Sequence, residues 1–462
     1  MGEAIKLLLF SRYPTAGQVK SRLAAGVGPG AAARWQRRLT EETVATARRF
    51  RQNWTADRTA KPPQLVICHT GASSRRFRAW LGSDLVYQDQ GAGDLGCRLW
   101  RAIKRAGQPS LASRLNGKPQ APKILVIGAD APQLTPEHLA AAGRALEQHE
   151  LVLGPAVDGG YYLLGLNKPH PRLFQDIAWG TARVYEQTLA AARRLGLSCA
   201  TLPTLTDIDR PPDLATLHDD PRFADLVDDH PTLSLIIPTY NEATRLEATI
   251  AACRQQATRP EQLEIIVVDG GSRDQTPTLA RRAGAAVFST PPGRAGQQNL
   301  GAEQARGRQL LFLHADSHPP VGFDEQIAQT LSDPAIQAGA FSLTIDAAGL
   351  SLRLLERGTN LRSRLLGLPY GDQGIFIEKK RFLELGGFPP LSLMEDFELS
   401  RRLRRRGRLV TLPTAVTTSA RRWQKLGPWR TFLLNQLLVA AFLLGIDPAR
   451  LAALYHRPTG RQ

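Results

Sequence analysis

Short runs of branched and aromatic apolar residues alternate with longer amphipathic stretches along this chain, and near residue 232 the alternation starts afresh. In the first half the runs lie at Ile5–Phe10, Gln64–Cys68, Lys123–Ile127 and Leu151–Leu153. Helical patterns fill Ala31–Arg51, Gly91–Ala106, Pro136–Glu147 and Ala182–Leu195. The second half repeats the plan with Ser234–Ile237, Glu264–Val268, Ala285–Phe288 and Gln309–His314. Strands separated by helical patterns of roughly ten to fifteen residues specify βαβ units and a mostly parallel sheet. The expected fold class is therefore α/β, as two tandem Rossmann-like domains. A chain of 462 residues also exceeds one ordinary core. The polar run Asp228-Asp229-His230-Pro231-Thr232 sets the expected domains at 1–228 and 232–462. Binding sites in such sheets lie beyond the carboxyl ends of the strands, where each motif below falls.

Lys and Arg number 59 against 42 Asp and Glu, a net charge of +17. That excess suits nucleic acid, an anionic membrane face or phosphorylated small molecules. No finger spacing or aromatic-rich basic sheet accompanies it, so nucleic acid is not an expected partner. The densest basic run, Arg401 to Arg408, reads as a solvated helix face. Cys68, Cys97, Cys199 and Cys253 are far apart, form no CxxC pair and are expected to be reduced thiols. The chain opens straight into a strand-like run without a charged-then-apolar leader, so a cytoplasmic location is expected. Phe432 to Ile446 is strongly apolar but shorter than the ~20 residues that span a bilayer. It is expected to be a core helix closing the second domain. The alternative is peripheral contact with the inner membrane face, for which Arg421, Trp423, Trp429 and Arg430 are suitable flanks.

In the second half, Leu235-Ile236-Ile237 ends at Pro238, which is expected to stop the strand and pass Tyr240, Asn241 and Glu242 to a loop. Side chains there can flank and hydrogen-bond a nucleobase. Ile265 to Val268 delivers Asp269, an acceptor for a base or ribose, followed by Gly270-Gly271-Ser272-Arg273-Asp274. Pro291 to Asn299 then leads into a helix, and Arg294 can face a phosphate. The next run presents His314, Asp316 and His318. A Mg2+ or Mn2+ ion bridging a diphosphate needs only one or two protein ligands, and Asp316 is the candidate. Glu395 and Asp396 follow Met394 and either do proton transfer or simply begin a helix running toward Arg405.

The order of these motifs, Pro238–Glu242, Asp269–Asp274, Gly293–Ala302, His314–Ser317 and Met394–Leu399, resembles the family-2-type glycosyltransferases of the GT-A fold over nearly the whole second half. The resemblance implies Glu242 and Asp269 at the nucleotide, Asp316 at the metal and Asp396 as base, with Glu395 competing. It implies a single inverting displacement of a nucleoside diphosphate by an acceptor hydroxyl. Two positions depart from the family pattern: Gly270 stands where a second Asp is usual, and His314 where the metal motif has its first Asp. The acceptor is a small molecule or is lipid-linked.

In the first half, strand Leu7–Phe10 leads into a loop carrying Arg12, Lys20 and Arg22, cations suited to a polyphosphate. The GxxxxGK spacing of a P-loop is missing. Ile124 to Ile127 presents Asp130 before Pro132, and Asp158-Gly159-Gly160 follows a later run. Asp130 and Asp158, at adjacent strand ends, can share a metal, and Gly159-Gly160 leaves room for a ligand at the backbone. This pattern resembles the GT-A-like nucleotidyltransferases, such as the guanylyltransferases of cofactor synthesis, over roughly the first 215 residues. It implies a nucleoside triphosphate on the basic loop and metal on Asp130. An active nucleotidyltransferase making an activated intermediate for the second half, a second glycosyltransferase and a non-catalytic partner domain all fit, and a working transferase is the favoured expectation. More narrowly, the two halves resemble the paired transferases 1 and 2 associated with radical-SAM and selenodomain genes, often described as arsenosugar-type glycosyltransferases.

Overall fold

The computed structural model describes residues 5–57, 61–108, 121–227, 232–421, 423 and 427–455. The polar run at 228–231, where the sequence sets its boundary, lies outside the described residues. The chain divides into two compact units, Met1–Asp228 and Asp229–Gln462.

The first unit is a seven-stranded sheet of β1 (Ile5–Arg12), β2 (Gln64–Thr70), β3 (Val86–Asp89), β4 (Lys123–Ile127), β5 (Leu151–Pro155), β6 (Tyr161–Leu166) and β7 (Cys199–Thr201), in the order β3-β2-β1-β4-β6-β5-β7. Its strands read as continuous apolar runs because helices cover both faces. Leu7 and Leu9 of β1 enter one core with Phe50, Trp54 and Leu139. Leu8, pointing the other way, joins Leu99, Ile103 and Ala192 in the second core. Neighbours along the order pair parallel up to β4, then antiparallel through β6 to β5, then parallel to β7.

The second unit contains β8 (Leu233–Thr239), β9 (Leu263–Asp269), β10 (Ala286–Ser289), β11 (Gln309–Phe312), β12 (Ser317–His318), β13 (Ile336–Asp346), β14 (Ile375–Glu378) and β15 (Arg408–Ser419). The order is β10-β9-β8-β11-β14-β13-β15-β12. From β10 to β15 the sequence of parallel and antiparallel pairings is the same as in the first unit, and β12 is an added edge. The two halves therefore share one mixed, largely parallel GT-A-like topology. Leu235 and Ile237 face one core and Ile236 the other, as the strand period of two requires.

Pro238 does not stop its strand. It lies within β8, paired in register with Val268. The neighbour β11 has already ended at Phe312, opposite Ile236, so the missing N–H interrupts no ladder on that side. Pro428–Leu443 forms the expected apolar helix, but its burial is one-sided: Leu438 is buried while Leu433 and Leu437 are exposed. The expectation of a core helix thus holds for one face only. No described helix is long and apolar enough to cross a membrane.

Candidate functional site

At the carboxyl ends of β8 and β11 the second unit opens into a pocket of about 650 Å³. Pro238, Tyr240, Glu242, Arg294, His314, Asp316, Glu395 and Asp396 all line it, so motifs up to 158 residues apart in sequence meet in one place. Tyr240 is 52% exposed. The loop that carries it is held by the loop after β9: the N–H of Asn241 donates to Ser272 Oγ at 2.8 Å, and that of Glu242 to Thr276 Oγ1 at 2.9 Å.

Asp269 is not brought to the pocket. It is buried, and its Oδ2 accepts from the N–H groups of Gly271 and Ser272 at 3.0 and 2.9 Å, while Ser272 Oγ donates to Oδ1 at 2.5 Å. A carboxylate with these three donors ties down its own turn. The expectation that it contacts a base or ribose is corrected to that extent.

The helix Arg294–Gln304 presents its amino end to the pocket through Gly293, Arg294 and Gln297, a placement that favours an anion. Arg294 Nη1 lies 3.8 Å from Glu395 Oε1. Across the pocket, Arg421 Nη2 donates to Glu242 Oε1 at 3.1 Å and lies 3.9 Å from Asp316 Oδ2. Glu242 Oε2 is buried and accepts no hydrogen bond from the described residues.

Glu395 and Asp396 do begin a helix, Glu395–Arg406, behind Met394 in the left-handed region at φ 70°. Helix start and site residue are thus not exclusive readings. Asp396 Oδ2 accepts from the N–H of Gly371 at 2.6 Å and Oδ1 from that of Phe397 at 2.7 Å, which fixes the carboxylate plane. A Cβ at position 371 would lie 3.1 Å from Asp396 Oδ2, so any side chain there would press on that carboxylate. Glu395 is 4% exposed; burial, then the charge of Asp396, pushes its carboxyl up to about 6 against the pull of Arg294. A carboxyl raised on folding stabilises the protein fully below its unfolded value, near 4.3, and that contribution is lost as pH rises through about 6. Glu395→Gln is therefore expected to stabilise the chain at pH 7.5 relative to pH 4.5, compared with wild type. Denaturant melts at both pH values measure this; an unchanged difference would show that Glu395 is not held in this environment.

Sequence reasoning missed the wall formed by Tyr370, Asp372 and the backbone of Gly371, and the lining from Asn435, Leu438 and Val439. The signal for the first was present as Pro369-Tyr370-Gly371-Asp372-Gln373-Gly374 before the apolar run Ile375–Ile377.

In the first unit two of the candidate residues, Lys20 and Asp130, pair with one another. Lys20, at φ 46°, places Nζ 2.5 Å from Asp130 Oδ1 and donates to the Ile208 carbonyl at 2.6 Å, with 5% of its side chain exposed. Arg22 Nη1 is 3.0 Å from Asp209 Oδ2. Arg12 ends β1 and is exposed. Asp158 Oδ1 accepts from the N–H of Gly160 at 2.8 Å. The space above Gly159, expected to be open to a ligand, is filled by the carbonyl oxygen of Ala182, 2.0 Å from where a Cβ would stand. Asp207, absent from the candidate set, is raised to about 6 by burial, then by Asp158, with a smaller push from Asp130 and a pull from Lys20. Among the described residues no group of three or more His, Cys, Asp or Glu side chains is arranged to hold a metal.

Residues 234–377 match the model of glycosyl transferase family 2, and residues 55–181 match that of an uncharacterized protein conserved in bacteria, DUF2064. Glycosyltransferase AglE of Haloferax volcanii is 29% identical over 143 residues, covering 29% of this chain and 47% of that protein. The undecaprenyl-phosphate 4-deoxy-4-formamido-L-arabinose transferase of Pseudomonas fluorescens is 33% identical over 110 residues, covering 21% of this chain and 32% of that one. A solved Desulfovibrio desulfuricans protein, assigned as a nucleotide-diphospho-sugar transferase, is 29% identical; the match covers 48% of this chain and 90% of that chain, with a TM-score of 0.40. This chain spans less than half the length of the two curated relatives, AglE and the arabinose transferase.

Proposed function

We propose that this chain, in which a DUF2064 domain precedes a family-2 glycosyltransferase domain, transfers a sugar from a nucleotide-diphosphate donor to an acceptor hydroxyl. The observation that carries the reading is the single pocket shared by Tyr240, Glu242, Arg294, Asp316, Glu395 and Asp396. In this reading Tyr240 offers its ring to the base, and Glu242 accepts from the nucleoside. Arg294 and the helix amino end behind it face the diphosphate. Asp396, oriented by the N–H groups of Gly371 and Phe397, takes the proton of the acceptor hydroxyl. The hydroxyl oxygen forms its bond to the anomeric carbon as the bond to the diphosphate oxygen breaks on the opposite side, so the configuration inverts. Glu395 is the competing base and otherwise balances Arg294.

The chemistry of the donor set fits a divalent ion in the second unit. Asp316 lines the pocket beside His314, its side chain is 22% exposed, and Arg421 approaches no closer than 3.9 Å. Asp316 would hold Mg2+ or Mn2+ with diphosphate oxygens and water completing the shell; bound there, the ion adds positive charge at the leaving group. Asp316→Ala is expected to weaken Mn2+-dependent binding of UDP or GDP by about tenfold or more, measured by calorimetry on the full chain. Equal Mn2+ dependence in the variant would remove Asp316 from this role.

The first unit is a nucleotide-binding relative in this reading. Its residues do not fit a divalent ion as they stand, because the Lys20 ammonium already neutralises Asp130. With Arg22 on Asp209 as well, the pairs favour a partner domain over a second metal-dependent transferase. The acceptor is a small molecule or lipid-linked, the second option being consistent with a relative whose name specifies an undecaprenyl-phosphate substrate. The place of action is the cytoplasm, with peripheral contact at the inner membrane face.

A further inference from the structure

The second unit carries two neighbouring helices whose outer faces have no acidic residue. On Leu350–Leu366 the exposed residues are Leu350, Arg353, Leu354, Arg357, Gly358, Leu361, Arg364, Leu365 and Leu366. At 100° per residue, Leu350, Leu354, Leu361 and Leu365 share one side, with Arg353, Arg357 and Arg364 along its margin; Arg353 is paired with Glu356 at 2.6 Å and Arg364 donates to Ser342 Oγ at 2.9 Å. The one acid of this helix, Glu356, is turned inward and accepts from the N–H of Ile345 at 2.6 Å. The second helix, Pro428–Leu443, packs on the first. Trp429, Leu433, Leu437 and Ala440 share its exposed side, the stripe continues to Leu444, and Arg430 is the exposed charge. Leu365 and Leu437 are 72% and 67% exposed. Single exposed leucines are ordinary; two adjoining stripes of them are not.

We infer that this two-helix face docks on an anionic lipid bilayer. Apolar side chains with arginines along the margin, and with the acids Asp346 and Asp447 only at the ends of the stripes, suit the boundary between headgroups and acyl chains, where Arg357 and Arg430 can reach phosphates while the leucines are buried. A protein partner would have to match the same lack of acids with an acidic apolar surface; a bilayer with anionic headgroups supplies both properties at once. The sequence alone pointed only to Phe432–Ile446; the helix Leu350–Leu366, whose Leu/Arg alternation is the stronger half of the face, went unread. The inner side of the second helix contributes Asn435, Leu438 and Val439 to the pocket, and Phe442 meets Phe397, next to Asp396, at 5.9 Å between ring centroids. One helix thus forms both the pocket wall and the docking face. The inference rests on the proposed function for the identity of that pocket and deepens its peripheral membrane contact by naming the surface that makes it.

The test is flotation of the full chain with mixed phosphatidylcholine–phosphatidylglycerol vesicles and with phosphatidylcholine alone. Binding to the mixed vesicles is expected, with partitioning weaker by about tenfold or more on phosphatidylcholine alone. The double variant Leu361→Glu/Leu437→Glu is expected to stay with the protein-only fraction while UDP or GDP binding, read by calorimetry, matches wild type. Wild-type protein that does not float with either vesicle would overturn the inference, as would undiminished flotation of the double variant. A dimer by light scattering that becomes monomeric in the double variant, without flotation, would assign the face to a second copy instead. Failure of nucleotide binding in wild type would overturn the proposed function and leave the flotation result to stand by itself.

Discussion

Asp396→Asn is expected to retain donor binding and to lose about 10²–10⁴ in turnover, the usual worth of a positioned general base. The substitution conserves size and keeps an oxygen able to accept from the N–H of Gly371 or Phe397. What disappears is the group that can hold the acceptor's proton when the new glycosidic bond forms. Glu395, adjacent in sequence and in the same pocket, supplies the control. Glu395→Gln keeps the side chain's size but removes a nearly buried titratable carboxyl beside Arg294, and its effect should fall mainly on donor affinity and on the pH dependence of stability. If Glu395→Gln abolishes turnover and Asp396→Asn does not, the two roles are exchanged. Initial-rate measurements at saturating donor separate these outcomes, because a loss confined to KM would mark a binding residue.

Gly159→Ala is expected to produce the largest loss of stability among single methyl additions to the first unit. The residue sits at φ 86°, a left-handed conformation costly for any side chain, and an added Cβ would stand 2.0 Å from the backbone oxygen of Ala182. Backbone cannot step aside as a flexible side chain can. The conformational and overpacking costs together amount to roughly 2–5 kcal/mol. For a unit of this size that lowers the melting temperature by on the order of 10 °C. The N–H of Tyr185 donates to the Gly159 carbonyl at 2.9 Å, so the strain reaches the start of the helix Val184–Arg194 as well. Thermal unfolding of the full chain measures the shift. A variant that melts with wild type would show that the Asp158–Tyr162 turn does not pack against the Ala182 backbone.

The parallel strands were legible in the sequence because burial on both faces leaves them as unbroken apolar runs: Lys123–Ile127 was bounded correctly, and β1, β2, β8 and β9 differ from their expected limits by a few end residues. Beyond β4 and β11 the sheets were mostly not: Leu151–Leu153 and Ala285–Phe288 anticipate β5 and the edge strand β10, but β3, β6, β7 and β12 to β15 had no counterpart. β13 and β15 carry Thr, Ser and Gln in their ladders, and Pro413 lies in β15 where the register shifts between Ala340 and Ser342. A proline there argues against a strand until the bulge is known. The wall at Tyr370–Asp372 was lost with them, since it leads into the unread β14.

Residue types at strand ends and at the starts of two helices were enough to gather Glu242, Asp316, Arg294 and Asp396 as candidates, because chemistry-bearing side chains at that edge of the sheet converge in this fold. What they could not convey is how each group is occupied. Asp269 and Asp316 follow apolar runs in the same way, yet one is spent on three donors of its own turn and the other faces the pocket. Lys20 and Asp130, 110 residues apart, were assigned to phosphate and metal separately and prove to be each other's partners.

Sugar transfer at this pocket is tested most directly by release of free nucleoside diphosphate from a panel of UDP- and GDP-sugars incubated with the full chain and Mn2+, water serving as the acceptor. Wild type is expected to consume at least one donor slowly, and Asp396→Asn, still binding that nucleotide, to consume it no faster than buffer. Consumption of no donor in the panel, together with no binding of UDP or GDP to wild type, would contradict sugar transfer at this pocket.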